Sequence, residues 1–442
     1  MLSACASRSS FPYRQLLLLL TVFSLSLSIA VSAHAATYYV ATTGSDSNSG
    51  TEAAPFRTIA HAVKQLNEGD TVYVKGGVYN ETGIIQIRKS NVKLLNAPGE
   101  SPTIHCAQNP RPYHGILIQN PTRMTHPGGG TAPLPLSNIT VEGFEIRNCL
   151  TGFRLYNVID SVIRRNWIHH GSASGILGNA KNILIDRNVI NSNGHSSLDH
   201  GMYITGTNYV ITNNLIYDHP GYGVQMAGYP WDMSQYGGGG RAFSGHAERP
   251  DPSYAGAAGW VIANNTFAYQ KGSGIVIWMP AAANSTIVNN IFYQNSSKVN
   301  GINFVSPGSG SKGHKINNNL FSGLGSMIGS TGKEGVNYTQ TGNITANPNF
   351  EGAGATLSGV PNFKLKAGSP AIDKVQNSLT PWDHAGGERP YGAASDIGAY
   401  EFGSPPNSGS PPPNPTGGDF PSGGPSAPVL LGPNGEVCYS GY

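Results

Sequence analysis

The chain has 442 residues, 12% of them charged, with 58 glycines and a formal net charge of +3. Charge this sparse excludes a strongly basic nucleic-acid binder. Few charges with abundant Gly, Asn and Ser fit a long β solenoid, which grows lengthwise without enlarging its cross-section.

Residues 1–35 read as a secretory signal. Arg8 and Arg14 supply positive charge, Leu16 to Val31 is the apolar run, and Ala33-His34-Ala35 is a small-x-small cleavage site. The protein is therefore expected outside the cell or at its surface, with no membrane span. Residues 36–90 are read as an amino-terminal cap and first coils. Tyr38-Tyr39-Val40 is a strand, Gly44 to Thr51 a polar turn, and Phe56, Ile59, Ala60, Val63 and Leu66 make one apolar helical stripe. A helix there would cover a core that a terminal repeat otherwise exposes.

Residues 91–344 repeat one phrase. Val162 to Ile168 returns as Ile183 to Ile190, Val210 to Ile216, Val261 to Phe267, Ile287 to Phe292 and Ile316 to Phe321. The aligned asparagines are Asn166, Asn188, Asn214, Asn265, Asn290 and Asn319, at spacings of 22, 26, 51, 25 and 29. Apolar residues flanking a sharp Asn turn argue strand–turn–strand. Asn tolerates the left-handed backbone that a tight corner needs, and stacked amides can bond along the axis. A second strand follows a glycine in each coil: Gly152-Phe153-Arg154, Gly175-Ile176-Leu177, Gly201-Met202-Tyr203, Gly223-Val224-Gln225, Gly274-Ile275-Val276 and Gly301-Ile302-Asn303. The 51-residue gap is one coil with an insertion, residues 229–258, containing Trp231 and Arg241. A loop this long is commonly functional. Cys106 and Cys149 occupy similar places in neighbouring coils. They are expected either to pair or to stack as free thiols.

Residues 345–402 stop repeating and are read as a carboxy-terminal cap. Residues 403–442 are a Pro/Gly/Ser-rich tail. On these repeats and caps the sequence resembles the right-handed parallel β-helix proteins of the pectin-lyase-like superfamily. The opening is similar to the amino-terminal cap of secreted polysaccharide lyases. In that setting Asp46 could help bind calcium, although a simple turn residue is the first reading, and no cofactor is required.

Strand alternation gives directions. In Gly-Ile-Val-Ile-Trp the isoleucines point inward, so one outer column holds Leu117, Arg154, Leu177, Tyr203, Gln225, Val276 and Asn303. A second holds Gln119, Tyr156, Thr205, Ala227 and Trp278, and the residue before each glycine adds His114, His200 and Tyr222. Eliminating across a uronate needs a base for the C5 proton, a group to quiet the carboxylate, and an acid for the leaving oxygen. His200, Tyr203 and Arg154 are the candidate catalytic residues, and the residue types resemble alginate-active lyases and epimerases of this fold. Gln225, Tyr222, Tyr156, Trp278, Trp231 and Arg241 are candidate substrate-binding residues. Paired carboxylates for an inverting hydrolase do not occur in these columns, nor does an acidic calcium cluster. The expected function is a secreted polysaccharide lyase or C5-epimerase on an anionic, uronate-containing glycan, acting as a monomer. The alternative is a non-catalytic glycan-binding surface protein.

Overall fold

The computed structural model describes residues 35–81, 84–106, 113–125, 131–227, 256–278, 282–295, 298–305, 311–331, 336–376 and 378–406, with the strands Val429–Leu431 and Val437–Tyr439. Residues 1–34 of the expected signal, and residues 228–255 with Trp231 and Arg241, lie outside the described residues.

The strand Met202–Thr212 shows the plan of a coil. Its first residues pair with Val224–Ala227 and its last with Val261–Ala263, so one strand turns a corner and serves two faces. The third face is a separate ten-stranded parallel ladder running from Gly77–Glu81 to Ile344–Thr345. Each coil therefore has three faces, the glycine strand on the first and the two halves of the repeated phrase on the other two. A β-bulge between Leu155 and Val158 interrupts the first corner of one coil.

Inward side chains fill the solenoid. Ile163, Ile185, Ile211, Ile262, Ile287 and Ile316 stack on one face. On the ladder face Phe267, Phe292 and Phe321 lie ring on ring, 5.0 and 4.9 Å apart. The expected cap helix forms at Ile59–Gln65. Thr58 caps it by accepting a hydrogen bond from the His61 N–H, and Ile59, Ala62 and Val63 are buried.

At one corner the six predicted asparagines form a buried amide ladder, which Asn343 extends. Asn214 Oδ1 accepts from the backbone N–H and the Nδ2 of Asn188, at 2.8 and 3.0 Å. Its own N–H and Nδ2 donate to Asn265 Oδ1, both at 2.9 Å. Its Nδ2 also reaches the Ile185 carbonyl at 2.9 Å. The left-handed residue is not this asparagine but the one before it: Arg165, Arg187, Asn213, Asn264, Asn289 and Asn318 all have φ between 53° and 59°. The corner therefore asks two separate things of two adjacent residues, and an arginine meets the backbone demand in two coils.

The recurrent glycines have a packing reason. A Cβ on Gly201 would sit 2.5 Å from the Gly223 carbonyl oxygen and 2.9 Å from Ile216 Cγ2. Glycine here makes room for the next coil and the interior.

Residues 345–402 lie along a side of the solenoid. Phe350, Phe363, Leu365, Ala371, Val375, Ile397 and Ala399 share a buried cluster with the outward residues Val189, Leu215, Tyr217, Ile291, Tyr293 and Leu320 of the ladder face. Those coils carry apolar residues on their outer surface, and the returning chain removes them from water at about 25 cal/mol per Å². Gly398 N–H donates to the Asn289 carbonyl at 2.8 Å, and the His384 ring lies 2.7 Å from the Asn213 carbonyl. Inside this segment Arg389 and Glu401 form a fully buried ion pair at 2.7 Å.

Cys106 and Cys149 are joined in a disulfide. Among the described residues no helix is long and apolar enough to cross a membrane.

Candidate functional site

The outer column expected on the first face is present. Parallel register sets Leu117 beside Arg154, Arg154 beside Leu177, Leu177 beside Tyr203, Tyr203 beside Gln225, Gln225 beside Val276, and Val276 beside Asn303. Arg154 and Tyr203 are thus two coils apart, roughly 10 Å at about 4.8 Å per coil. Val276 belongs to no hydrophobic core cluster, unlike its neighbours Ile275 and Ile277, which confirms that this column faces away from the interior.

Outward direction does not mean exposure. Gln225 is fully buried, Arg154 is 3% exposed and His200 is 2% exposed, whereas Tyr203, Tyr222, Tyr156 and Trp278 are half-buried. The tyrosines and the tryptophan therefore present the accessible chemistry of the face.

His200 is locked in place. Its Nδ1 accepts the Tyr222 backbone N–H at 3.0 Å, and its own N–H donates to Ser174 Oγ at 3.0 Å. The Tyr222 ring stacks on it at 4.8 Å, and the Tyr203 ring tilts against it at 5.6 Å. Burial pushes the imidazole down to about 4, against the opposing pull of Asp199 and Gln225. With Nδ1 held by a backbone donor, the single ring proton of neutral His200 sits on Nε2. The geometry therefore does not suit it to the base role expected of it. Gln225 faces this ring, but neither of its amide atoms completes a hydrogen bond among the described residues.

Asp199 closes a turn: Oδ2 accepts from the N–H groups of His195 and Ser196 and from Ser196 Oγ. His219 is an interior ladder residue. Its N–H and Nδ1 meet Gln270 Oε1 at 3.1 and 3.0 Å, and Gln270 N–H donates to Asn295 Oδ1 at 3.0 Å. This second ladder, continued by Asn193, mixes residue types, so no repeated letter reveals it.

The Arg154 guanidinium lies over the Tyr156 ring, 4.1 Å from its centre. Tyr156 sits in the bulge, and Thr205 pairs instead with Asn179, so the second column is not straight. Its far end, Ala227 beside Trp278, holds. Thr205 is buried, donating to the Gly256 carbonyl at 2.8 Å.

Asp46 accepts hydrogen bonds from the N–H groups of Arg57 and Thr58 and from the Thr58 hydroxyl, so both carboxylate oxygens close the capping turn. Among the described residues no group of three or more His, Cys, Asp or Glu side chains is arranged to hold a metal ion.

Residues 38–228 match the family described as Pel9A-like, right handed beta helix region. The chain is a right-handed parallel β-helix. It carries the pectin-lyase-like fold, and its superposition on the crystal structure of pectate lyase Pel9A gives a TM-score of 0.52 at 16% identity, covering 83% of this chain and 96% of that one. At that identity the likeness is one of fold. Two local matches are closer in sequence. Pectate lyase PEL9 of Emericella nidulans is 48% identical over 56 residues, 13% of this chain and 14% of that protein. The uncharacterized protein YwoF of Bacillus subtilis is 50% identical over 44 residues, 10% of this chain and 9% of that protein. The chain thus matches only about a seventh and a tenth of the length of these relatives.

Proposed function

We propose that this β-helix is an exported enzyme acting on a uronic-acid-containing polysaccharide, by β-elimination or by C5 epimerisation. The observation that carries the reading is the outer column of the first face. It puts a cation, Arg154, and a half-buried phenol, Tyr203, two coils apart in line, with Tyr222 beside them. The local similarity to a pectate lyase and the fold support the same substrate class. The disulfide supports export, since such bonds persist in oxidising compartments.

In this reading Arg154 supplies positive charge for the uronate carboxylate, which gains negative charge as the C5 proton leaves. Tyr203 is the proton-transfer group nearest the sugar. Its hydroxyl protonates the departing glycosidic oxygen in a lyase, or returns a proton to the opposite face of C5 in an epimerase. Tyr222, Gln225, Tyr156 and Trp278 flank the polymer. His200 is a positioning residue that fixes Tyr222 and Tyr203.

One observation favours glycan binding without catalysis. The most conspicuous histidine of the face is neutral, covered, and has its acceptor nitrogen occupied. Purified protein is incubated with polygalacturonate, alginate and glycosaminoglycans. Absorbance of unsaturated product reports elimination, and deuterium uptake at C5 in D2O reports epimerisation. Retention of the protein by a polymer with neither signal selects the binding reading, and no retention and no signal on any polymer overturns both.

A further inference from the structure

We propose that His114, held by Thr151 and set beside Arg154, is the proton-accepting residue of this face. The inference rests on the lyase or epimerase reading above and names the base which that reading lacks.

The position comes first. His114 belongs to the column that precedes each glycine, followed by Thr151, Ser174, His200 and Tyr222. Its strand Ile116–Ile118 pairs with the strand bearing Arg154, Leu117 lying beside Arg154 itself. Unlike His200, which is fully covered, His114 is half-buried.

Its hydrogen bond is of a different kind. His114 Nδ1 lies 2.8 Å from Thr151 Oγ1. A hydroxyl donates or accepts as needed. The ring can therefore keep a proton on Nδ1, directed at Thr151, while Nε2 offers a lone pair. Once Nε2 has taken a proton, the Nδ1–H bond to Thr151 stays intact. His200 has no such freedom, because its Nδ1 partner is a backbone N–H that can only donate.

The backbone around His114 is clamped. Leu150 N–H donates to the Tyr113 carbonyl at 2.6 Å, and Gly115 N–H to the Thr151 carbonyl at 2.8 Å. A Cβ on Gly115 would fall 2.8 Å from the Gly152 carbonyl oxygen and 3.2 Å from Cys149 Sγ. The Cys106–Cys149 disulfide closes the same corner. A ring placed by so many constraints is oriented before substrate arrives.

The charged group facing His114 among the described residues is Arg154, with the Tyr156 ring beneath the guanidinium. Burial, and after it the Arg154 charge, oppose protonation and hold the imidazole at about 4, so it waits in the neutral, proton-accepting form. A uronate carboxylate held on this face near Arg154 would offset that charge. The ring then becomes more basic only while substrate is bound. The C5 proton passes to Nε2, the C5–H electron pair forms the C4–C5 double bond, and the glycosidic oxygen leaves with a proton from Tyr203. In epimerisation the proton from Tyr203 goes to C5 instead, and no bond to oxygen breaks.

Two arms test this. On the polymer found by the screen, His114→Gln keeps a partner for Thr151 and is expected to lose roughly 100- to 10,000-fold in kcat. KM should stay within about threefold and the Tm should be unchanged. In the second arm the His114 ring is titrated by NMR in protein with labelled histidine. Its midpoint is expected to rise in Arg154→Gln, and to rise in the wild type when oligogalacturonate or oligomannuronate, whichever polymer is acted on, is added. Turnover by His114→Gln within about twofold of wild type overturns the inference, and so does a His114 titration indifferent to Arg154→Gln. The second arm decides if His114→Gln does not fold. A wild type that neither eliminates nor exchanges C5 hydrogen on any polymer removes the functional reading and this inference with it. An active wild type with an active His114→Gln removes this inference alone.

Discussion

Two columns run the length of this solenoid under opposite rules. The corner column repeats one side chain in coil after coil, fully buried from Asn166 to Asn319 and half-buried at Asn343, each amide bonding the next. The outer column of the first face changes at every step: Arg154, Leu177, Tyr203, Gln225, Val276, Asn303. Stacking demands the first, because a coil lacking its asparagine leaves the coil before it with unmet hydrogen-bonding groups. Nothing in stacking demands the second. In a repeat fold, the positions that refuse to repeat are where a function is to be sought.

The hardest test of that contrast is Asn214→Ala. It strips the Asn188 N–H and Nδ2 of their acceptor and the Ile185 carbonyl of its donor. At about 1–3 kcal/mol for each orphaned buried group, a loss of roughly 3–6 kcal/mol is expected in denaturant unfolding. A loss below about 1 kcal/mol would mean that the ladder ornaments the corner rather than holding it. Tyr203→Phe should do the reverse, costing roughly 100- to 10,000-fold in turnover while the Tm moves by no more than about 2 °C. A drop in Tm with unchanged turnover would make Tyr203 part of the scaffold.

A third test uses His219, an ionisable residue inside a ladder. Burial pushes its imidazole down to about 3, against about 6.5 in an unfolded chain. The unfolded state then binds the extra proton as pH falls below about 6.5, so native stability is complete above that pH and declines through the acid range. Gln270 occupies the same ladder without titrating. His219→Gln should therefore fold and show a shallower acid decline, the difference from wild type reaching on the order of 2–3 kcal/mol at pH 4.5. Parallel pH curves for the two proteins would place the acid sensitivity elsewhere, in His200, His314 or His384, which burial depresses likewise.

The smallest effect is expected from Asn182→Gly. Asn182 belongs to an exposed amide row, its Nδ2 donating to Asp160 Oδ1 at 2.9 Å and its Oδ1 accepting from Asn208 at 2.9 Å. Its φ is 53°, which glycine adopts freely. Removing an amide whose partners can turn to water should change stability by no more than about 0.5 kcal/mol. A cost comparable to that of Asn214→Ala would show that burial is not what separates the two rows.

The parts of the fold legible in the sequence were those written in identical letters. The asparagine corner and the glycine strand could be aligned by eye, and the register of Arg154 with Tyr203 followed from them. What the alignment missed is written in mixed letters. Asn193, His219, Gln270 and Asn295 share a ladder because an imidazole and two amide lengths can meet one hydrogen-bonding requirement. The docking of residues 345–402 along the ladder face was hidden because Val189, Leu215 and Ile291 read as ordinary strand apolars, with no sign of which side they faced. His200 looked reactive by type, and only its contact with the Tyr222 amide shows the acceptor nitrogen occupied. His114 stands in the same column, but its links to Thr151 and Arg154 cross between segments 37 and 40 residues apart and leave no local mark in the sequence.

The asparagine ladder also has a direction. Each backbone N–H donates to the side-chain oxygen of the next asparagine toward the carboxy terminus, from Phe144, whose N–H meets Asn166 Oδ1, through to Asn319, whose N–H meets Asn343. Each Nδ2 bonds both that oxygen and a carbonyl of the coil before. Every coil therefore presents the same donor to one neighbour and the same acceptor to the other, like couplings on railway wagons. A whole coil could be removed or duplicated and the severed ends would still join, whereas a gain or loss of half a coil would leave two like ends facing each other. The length of such a chain is thus free to change only in units of one turn, while the outer column slides along it as cargo.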